Sequence, residues 1–126
     1  MEPSPELVHV AADLFAAMGS GSADAVEAFY SLADEAVFVG TDDAEFWTDS
    51  AQHNTDVRPF FDGAAGPSRW EVAFTEARRA GDTAWTYSRV MVHLPDIDPI
   101  PARVTLVWHQ EDGRWRVIHS HASTGN

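Results

Sequence analysis

The chain has 126 residues and no cysteine, and it carries a formal charge of −12 from 20 acidic against 8 basic residues, all of them arginine. Such acidity argues against nucleic acid and anionic membrane as partners, since affinity for either comes mainly from basic patches, and the missing thiols remove disulfides and cysteine-held metals. With 44% hydrophobic residues, five Trp and seven Phe among them, the chain has the means for its own core, and its length fits one domain over 1–126.

No apolar run approaches the roughly 20 residues that span a bilayer, and the N-terminal stretch MEPSPELVHVAADLF is acidic and helical rather than a basic leader, so a cytoplasmic location is expected. Ser4-Pro5-Glu6 predicts a helix start, with Ser as N-cap and Pro at the first helical position. Leu7, Val10, Ala11, Leu14, Phe15 and Met18 then recur at helical spacing up to Gly19, giving one apolar stripe that should cover a sheet. A shorter helix is predicted from about Ala23 to Tyr30 with Val26, Phe29 and Tyr30 inward, followed by a short strand from Ala36 to Val39.

The segment GTDDAEFWTDS, residues 40–50, reads as a loop leading to a third helix. That helix starts either at about Ser50, with a kink at Pro59, or at about Thr55, where the proline costs less; both end near Asp62-Gly63. From Arg69 the period changes to two: Trp70, Val72 and Phe74 alternate with Arg69, Glu71 and Thr75, a turn falls at Ala80-Gly81-Asp82, and Thr83 to Leu94 returns as a long strand. The proline-rich residues 95–101 form a loop, and 103–125 form a hairpin turning at Glu111-Asp112-Gly113-Arg114. Helices first and strands after give an α+β fold, a cone-shaped curved antiparallel sheet wrapped around N-terminal helices.

The hairpin also carries a resemblance. Trp108-His109, Asp112-Gly113, Trp115, His119, His121 and Ser123 are similar to the last two strands of the association (hub) domain of calcium/calmodulin-dependent protein kinase II, and Gly40-Thr41-Asp42 extends the likeness to SnoaL-like domains. Both belong to the nuclear transport factor 2-like, or cystatin-like, superfamily, which includes ketosteroid isomerase. The resemblance implies a pocket lined from the last three strands. Arg89 matches one of three hub-pocket arginines, the other two fall on Leu106 and Ala122, and a pocket histidine of the third helix falls at or beside Arg58.

In that phase Trp85, Tyr87, Arg89 and Met91 point inward, together with Val104, Leu106 and Trp108 and with Ile118, Ser120 and Ala122. The expected ligand contacts are therefore Arg89, Arg58, Tyr87, Trp108, Leu106, Ser120 and Ala122, with Trp47 joining them from a loop at the mouth. A charge inside an apolar run needs a partner: Arg89 faces either a ligand carboxylate or an internal acid such as Asp42, Asp43 or Glu45. His109, His119 and His121 have the spacing of a metal site but fall on the far face with no acid among them, so neither metal nor cofactor is expected.

The isomerase likeness fails residue by residue, since the general-base aspartate falls on Gly40 and the oxyanion-hole tyrosine on Leu14. Val90, Val92, Thr105, Val107 and Val117 would give the sheet an apolar outer face suited to a homodimer. The leading expectation is a module that binds a small acidic or polar-aromatic molecule in its cone and dimerises. The alternatives are a cofactor-free isomerase, dehydratase or cyclase acting on a cyclic or polyketide-like substrate through Asp42 with Tyr87 or Tyr30, and a purely structural oligomerisation domain.

Overall fold

Asp112 and Gly113, at φ of 52° and 77°, turn the C-terminal hairpin, both in the left-handed region that two-residue hairpin turns require and that Asp-Gly adopts at little cost. In the computed structural model, which describes residues 1–124, this turn joins strands β6 (Ile100–Glu111) and β7 (Arg114–Thr124) at the centre of a seven-stranded sheet. The other elements are β1 (Glu2–Pro3), α1 (Pro5–Met18), α2 (Ala23–Glu27), β2 (Val37–Val39), β3 (Phe46–Trp47), α3 (Ser50–Phe61), β4 (Arg69–Ala80) and β5 (Thr83–His93). The strand order is β1-β4-β5-β6-β7-β2-β3, antiparallel except where β2 runs parallel to β7. The sheet is therefore mixed, and the α+β cone expected from the element order is the observed architecture. Among the described residues no helix is long and apolar enough to cross a membrane.

Helix α1 starts as predicted: the Ser4 hydroxyl accepts the Leu7 N–H at 3.2 Å, with Pro5 at the first position. Its stripe of Leu7, Ala11, Leu14, Phe15 and Met18 is buried against the inner face of the sheet beside Val90, Leu106, Trp108 and Val117. Full burial of each large side chain of that stripe contributes about 1.5–3 kcal/mol relative to exposure. Helix α3 takes the longer of its two expected forms. Asp49 caps it by accepting the Ala51 and Gln52 N–H groups at 2.9 and 3.3 Å, and Pro59 lies inside the helix, two residues before its end. Four elements differ from expectation. Helix α2 stops at Glu27, Tyr30 instead bridges to Val117, the short edge strands β1 and β3 arise where no strand was read, and β6 begins at Ile100, so that Ile100 and Pro101, read as loop, pair with Val92 and Met91.

The sheet's phase differs more consequentially. On β5 the residues facing the core are Ala84, Thr86, Ser88, Val90 and Val92, while Trp85, Tyr87, Arg89 and Met91 face outward. The cause is steric. Across the sheet Trp108 stands opposite Ala84 and Leu106 opposite Thr86, and with these large side chains filling the face only small ones fit on β5, their hydroxyls satisfied in place: Ser88 by Thr75 at 2.8 Å and Thr86 by the Trp108 indole at 3.0 Å. Bulges between Val72 and Phe74 on β4, and opposite Val107–Trp108 on β7, shift the alternation along those strands. Hence Val90, Val92 and Val117 belong to the core, and of the five residues expected on the outer face only Thr105 and Val107 are there.

Candidate functional site

Helix α3 is fastened at both ends. Its first turn is held by the Ser50 hydroxyl, which donates to the Ser31 carbonyl at 2.6 Å; beyond its last turn the Asp62 carboxylate accepts the Ala23 N–H at 2.7 Å. Between these ends only Ser50 and His53 are buried, so α3 arches over the wide end of the cone without filling it. Beneath it lies a cavity of about 370 Å³. Its floor is Val104 and Leu106 of β6 with Ser120 and Ala122 of β7; Tyr30 and Phe38 form one wall, Met18, Phe61 and Trp70 the other. Trp47, Phe60, Thr41, Glu45 and Asp56 frame the mouth.

One polar side chain of α3 is enclosed there. His53, 6% exposed, is packed against Phe38, Tyr30 and Trp47, with ring centroids 4.5, 5.0 and 5.0 Å away. Its Nδ1 lies 3.0 Å from the Asn54 side-chain oxygen, a contact that assigns the proton to Nδ1 and leaves Nε2 as an acceptor. Burial holds the imidazole below its ordinary 6.5, against the opposing pulls of the Asn54 hydrogen bond and the Asp56 and Glu27 carboxylates. Burial likewise pushes the Tyr30 phenol above its ordinary 10. Asp56 goes the other way: the Trp47 indole at 2.9 Å and the Gln52 amide at 2.7 Å hydrogen-bond its carboxylate and hold it below the ordinary carboxylate range. At neutral pH the cavity thus presents a neutral imidazole, a neutral phenol and an ionised carboxylate at its rim.

Of the residues expected to contact a ligand, Trp47, Leu106, Ser120 and Ala122 line this cavity. Four do not. Arg89 is exposed on the outer face, opposite Phe74 and Arg103, where its charge keeps its water. Tyr87 shares that face and packs on Phe74 at 6.4 Å. Trp108 lies in the α1 core, fully buried, its indole held by Thr86. Arg58 leaves α3 on the far side, where it pairs with Asp24 at 2.6 Å, Glu27 at 3.0 Å and Asp62 at 3.6 Å. The buried α3 residue that lines the cavity is His53, five positions earlier. The spacing of Ser50, His53, Val57 and Phe61 could have shown it, being the one helical stripe in a polar segment.

The rim carries a second residue, Glu45, which the sequence suggested only as a possible partner for Arg89. A side chain at Gly40 would collide with Glu45, whose Cβ and Cδ lie 2.7 and 2.9 Å from where a Cβ would stand, so the missing side chain at 40 makes room for the Glu45 carboxylate. Glu45 Oε1 accepts the Asp42 N–H at 2.8 Å and the Thr41 hydroxyl at 3.4 Å. Asp42 itself is exposed; its carboxylate accepts the Ala44 N–H, and it does not line the cavity. His119 faces away, its Nδ1 2.9 Å from the Val37 carbonyl, within the sheet.

Comparison with solved structures identifies the fold. A nuclear transport factor 2-like protein from Pseudomonas putida superposes with a TM-score of 0.81 at 22% identity, over 94% of this chain and 83% of that one. A protein proposed to be a calcium/calmodulin-dependent protein kinase II association domain, from Xanthomonas campestris, gives 0.78 at 20% identity over 99% and 95%. A protein proposed to be a nuclear transport factor 2-like dehydratase, from Streptomyces avermitilis, gives 0.83 at 12% identity over 96% and 94%. No curated protein sequence matches the chain. The SnoaL-like domain family matches residues 7–126, nearly the whole chain together with the cavity just described, and the chain belongs to that family.

Proposed function

We propose that this chain is a small-molecule-binding module whose cone holds a polar-aromatic ligand. The observation that carries the reading is the cavity of about 370 Å³, walled by aromatic rings around one enclosed neutral imidazole, a mostly apolar pocket with few polar groups of the kind that small-molecule sites use. The acidic half of the expectation loses its support, because neither Arg89 nor Arg58 lines the cavity. An NMR screen of small aromatic alcohols, ketones and acids tests it. Neutral aromatics should shift the Trp47 indole N–H and the Ala122 methyl, and Ala122→Leu, which fills the floor, should abolish the Trp47 shift. A panel that perturbs neither signal would defeat the reading.

The outer face of the sheet supports a homodimer. Phe74, 48% exposed, adjoins Tyr87 there, and Arg89 stands directly across from Arg103, a like-charge pair that is unfavourable without acids nearby. Glu71 and Glu76 share this face, so a two-fold partner could bring its acids onto the arginines. Sedimentation should give a dimer at micromolar concentration and a monomer for Tyr87→Glu; a wild-type monomer would count against the interface.

A second reading, catalysis, is favoured by Glu45. Its carboxylate stands beside Gly40, where the isomerase resemblance places a general base, in a cavity that also holds Tyr30 and His53. A likeness to a proposed dehydratase is compatible with it. Exchange of α-deuterium from a cyclic ketone, lost in Glu45→Gln, would favour this reading over binding alone.

A further inference from the structure

The cavity's hydrogen-bonding inventory is one-sided. Each indole near it has already spent its donor: Trp47 on Asp56, Trp70 on Ser68 at 3.3 Å, and Trp108 on Thr86. The Thr41 hydroxyl donates to Glu45. The remaining lining donors are the Tyr30 and Ser120 hydroxyls, and no arginine is among the lining residues of a chain that has no lysine. Acceptors are plentiful. His53 is enclosed with its proton on Nδ1, and among the described residues its Nε2 has no hydrogen-bond partner. Glu45 and Asp56 add two carboxylates at the mouth, and Glu45 Oε2 accepts no hydrogen bond from the described residues.

A carboxylate ligand would meet like charges and few donors there. A ligand bearing a protonated amine would meet the reverse: two anions, a free imidazole nitrogen, and the π-faces of Trp47, Tyr30 and Phe38, which attract cations. We infer that the site takes small organic amines with an aromatic or cyclic body, the ammonium held at the Glu45–Asp56 rim and the body in the aromatic cone. This rests on the cavity being a ligand site, and it names the ligand's chemical class.

The test uses three probes that share a phenyl body: 2-phenylethylamine, 2-phenylethanol and phenylacetate. Calorimetry and the Trp47 indole signal should show the amine binding about tenfold or more tighter than the alcohol, with phenylacetate weakest. Glu45→Gln and Asp56→Asn should each narrow the amine's advantage, and together remove it, while alcohol binding persists and reports an intact cavity. If the alcohol binds as well as the amine, the amine inference fails and the cavity reading stands. If phenylacetate binds best, the charge argument is wrong. If none of the three binds at millimolar concentration, both readings fail together.

Discussion

The two ends of the cone share one sheet but treat its inner face differently. Under α1 the face is closed: Leu7, Ala11 and Leu14 are fully buried against Ala84, Leu106 and Trp108, and the few polar groups, Thr86 and Ser88, are paired. Under α3 the same strands meet a helix that buries only Ser50 and His53, and a cavity remains. The difference lies in the two helix stripes. A continuous aliphatic stripe draws its helix down until nothing else fits, whereas a stripe interrupted by serine and histidine, on a helix tied at both ends by Ser31 and Ala23, spans the gap. Packing is therefore tightest under α1, and the cavity proposed as the ligand site lies under α3.

Truncation should give the largest contrast. Trp108→Ala removes a fully buried ring and strands the Thr86 hydroxyl, so it should cost about 3–5 kcal/mol in urea denaturation. Trp47→Ala, at the half-exposed mouth, should cost about 1 kcal/mol while abolishing the response to aromatic probes. Equal costs at the two tryptophans would break the comparison. Enlargement is the converse and smaller test. Ala84→Leu, in the closed half, should destabilise by about 1–3 kcal/mol, whereas Ala122→Leu, with open space before it, should lie within about 0.5 kcal/mol of wild type.

The sequence carried the fold because its signals were local. A Ser-Pro cap, an aliphatic stripe, an Asp-Gly turn and period-two strands each act over a few residues. The face of β5 was not legible in that way. Alternation fixes two sets of residues without saying which set is inside, and Trp85, Tyr87 and Met91 look like the core set by hydrophobicity alone. What decides is the packing of the assembled core, where Trp108 and Leu106 on the neighbouring strand leave room only for the small side chains of Ala84, Thr86 and Ser88. Arg89 was placed inward because the hub-domain resemblance, which supplied the phase, matched it to a pocket arginine, and alternation alone could not correct that choice. His53 was hidden differently: its helix had two possible starts, and the longer one, fixed by the Asp49 cap, brings His53 into the helix and under the aromatic wall.

The subtlest test of the open half is its proton. His53 titrates in the unfolded chain near the ordinary 6.5, while in the fold burial holds it lower. Between these two values the unfolded state binds more protons than the native one, so stability rises with pH across that window, by at most about 1.4 kcal/mol per pH unit for one proton. Above 6.5 both states are neutral and the full stability is present; below the folded value both are charged and the loss is complete. Denaturant midpoints measured from pH 4.5 to 7.5 should show this rise, and His53→Phe, which keeps a ring beside Phe38 and Tyr30, should flatten it. Asp56→Asn sharpens the test, because the Asp56 charge is one of the forces holding the imidazole up; without it the lower edge of the window should move to still lower pH. Tyr30 cannot produce such a rise, since burial moves its ionisation above 10 and out of the range. A slope that survived in His53→Phe would mean that the enclosed imidazole is not the group that senses acid, and that the aromatic pocket around it is wetter than its contacts imply.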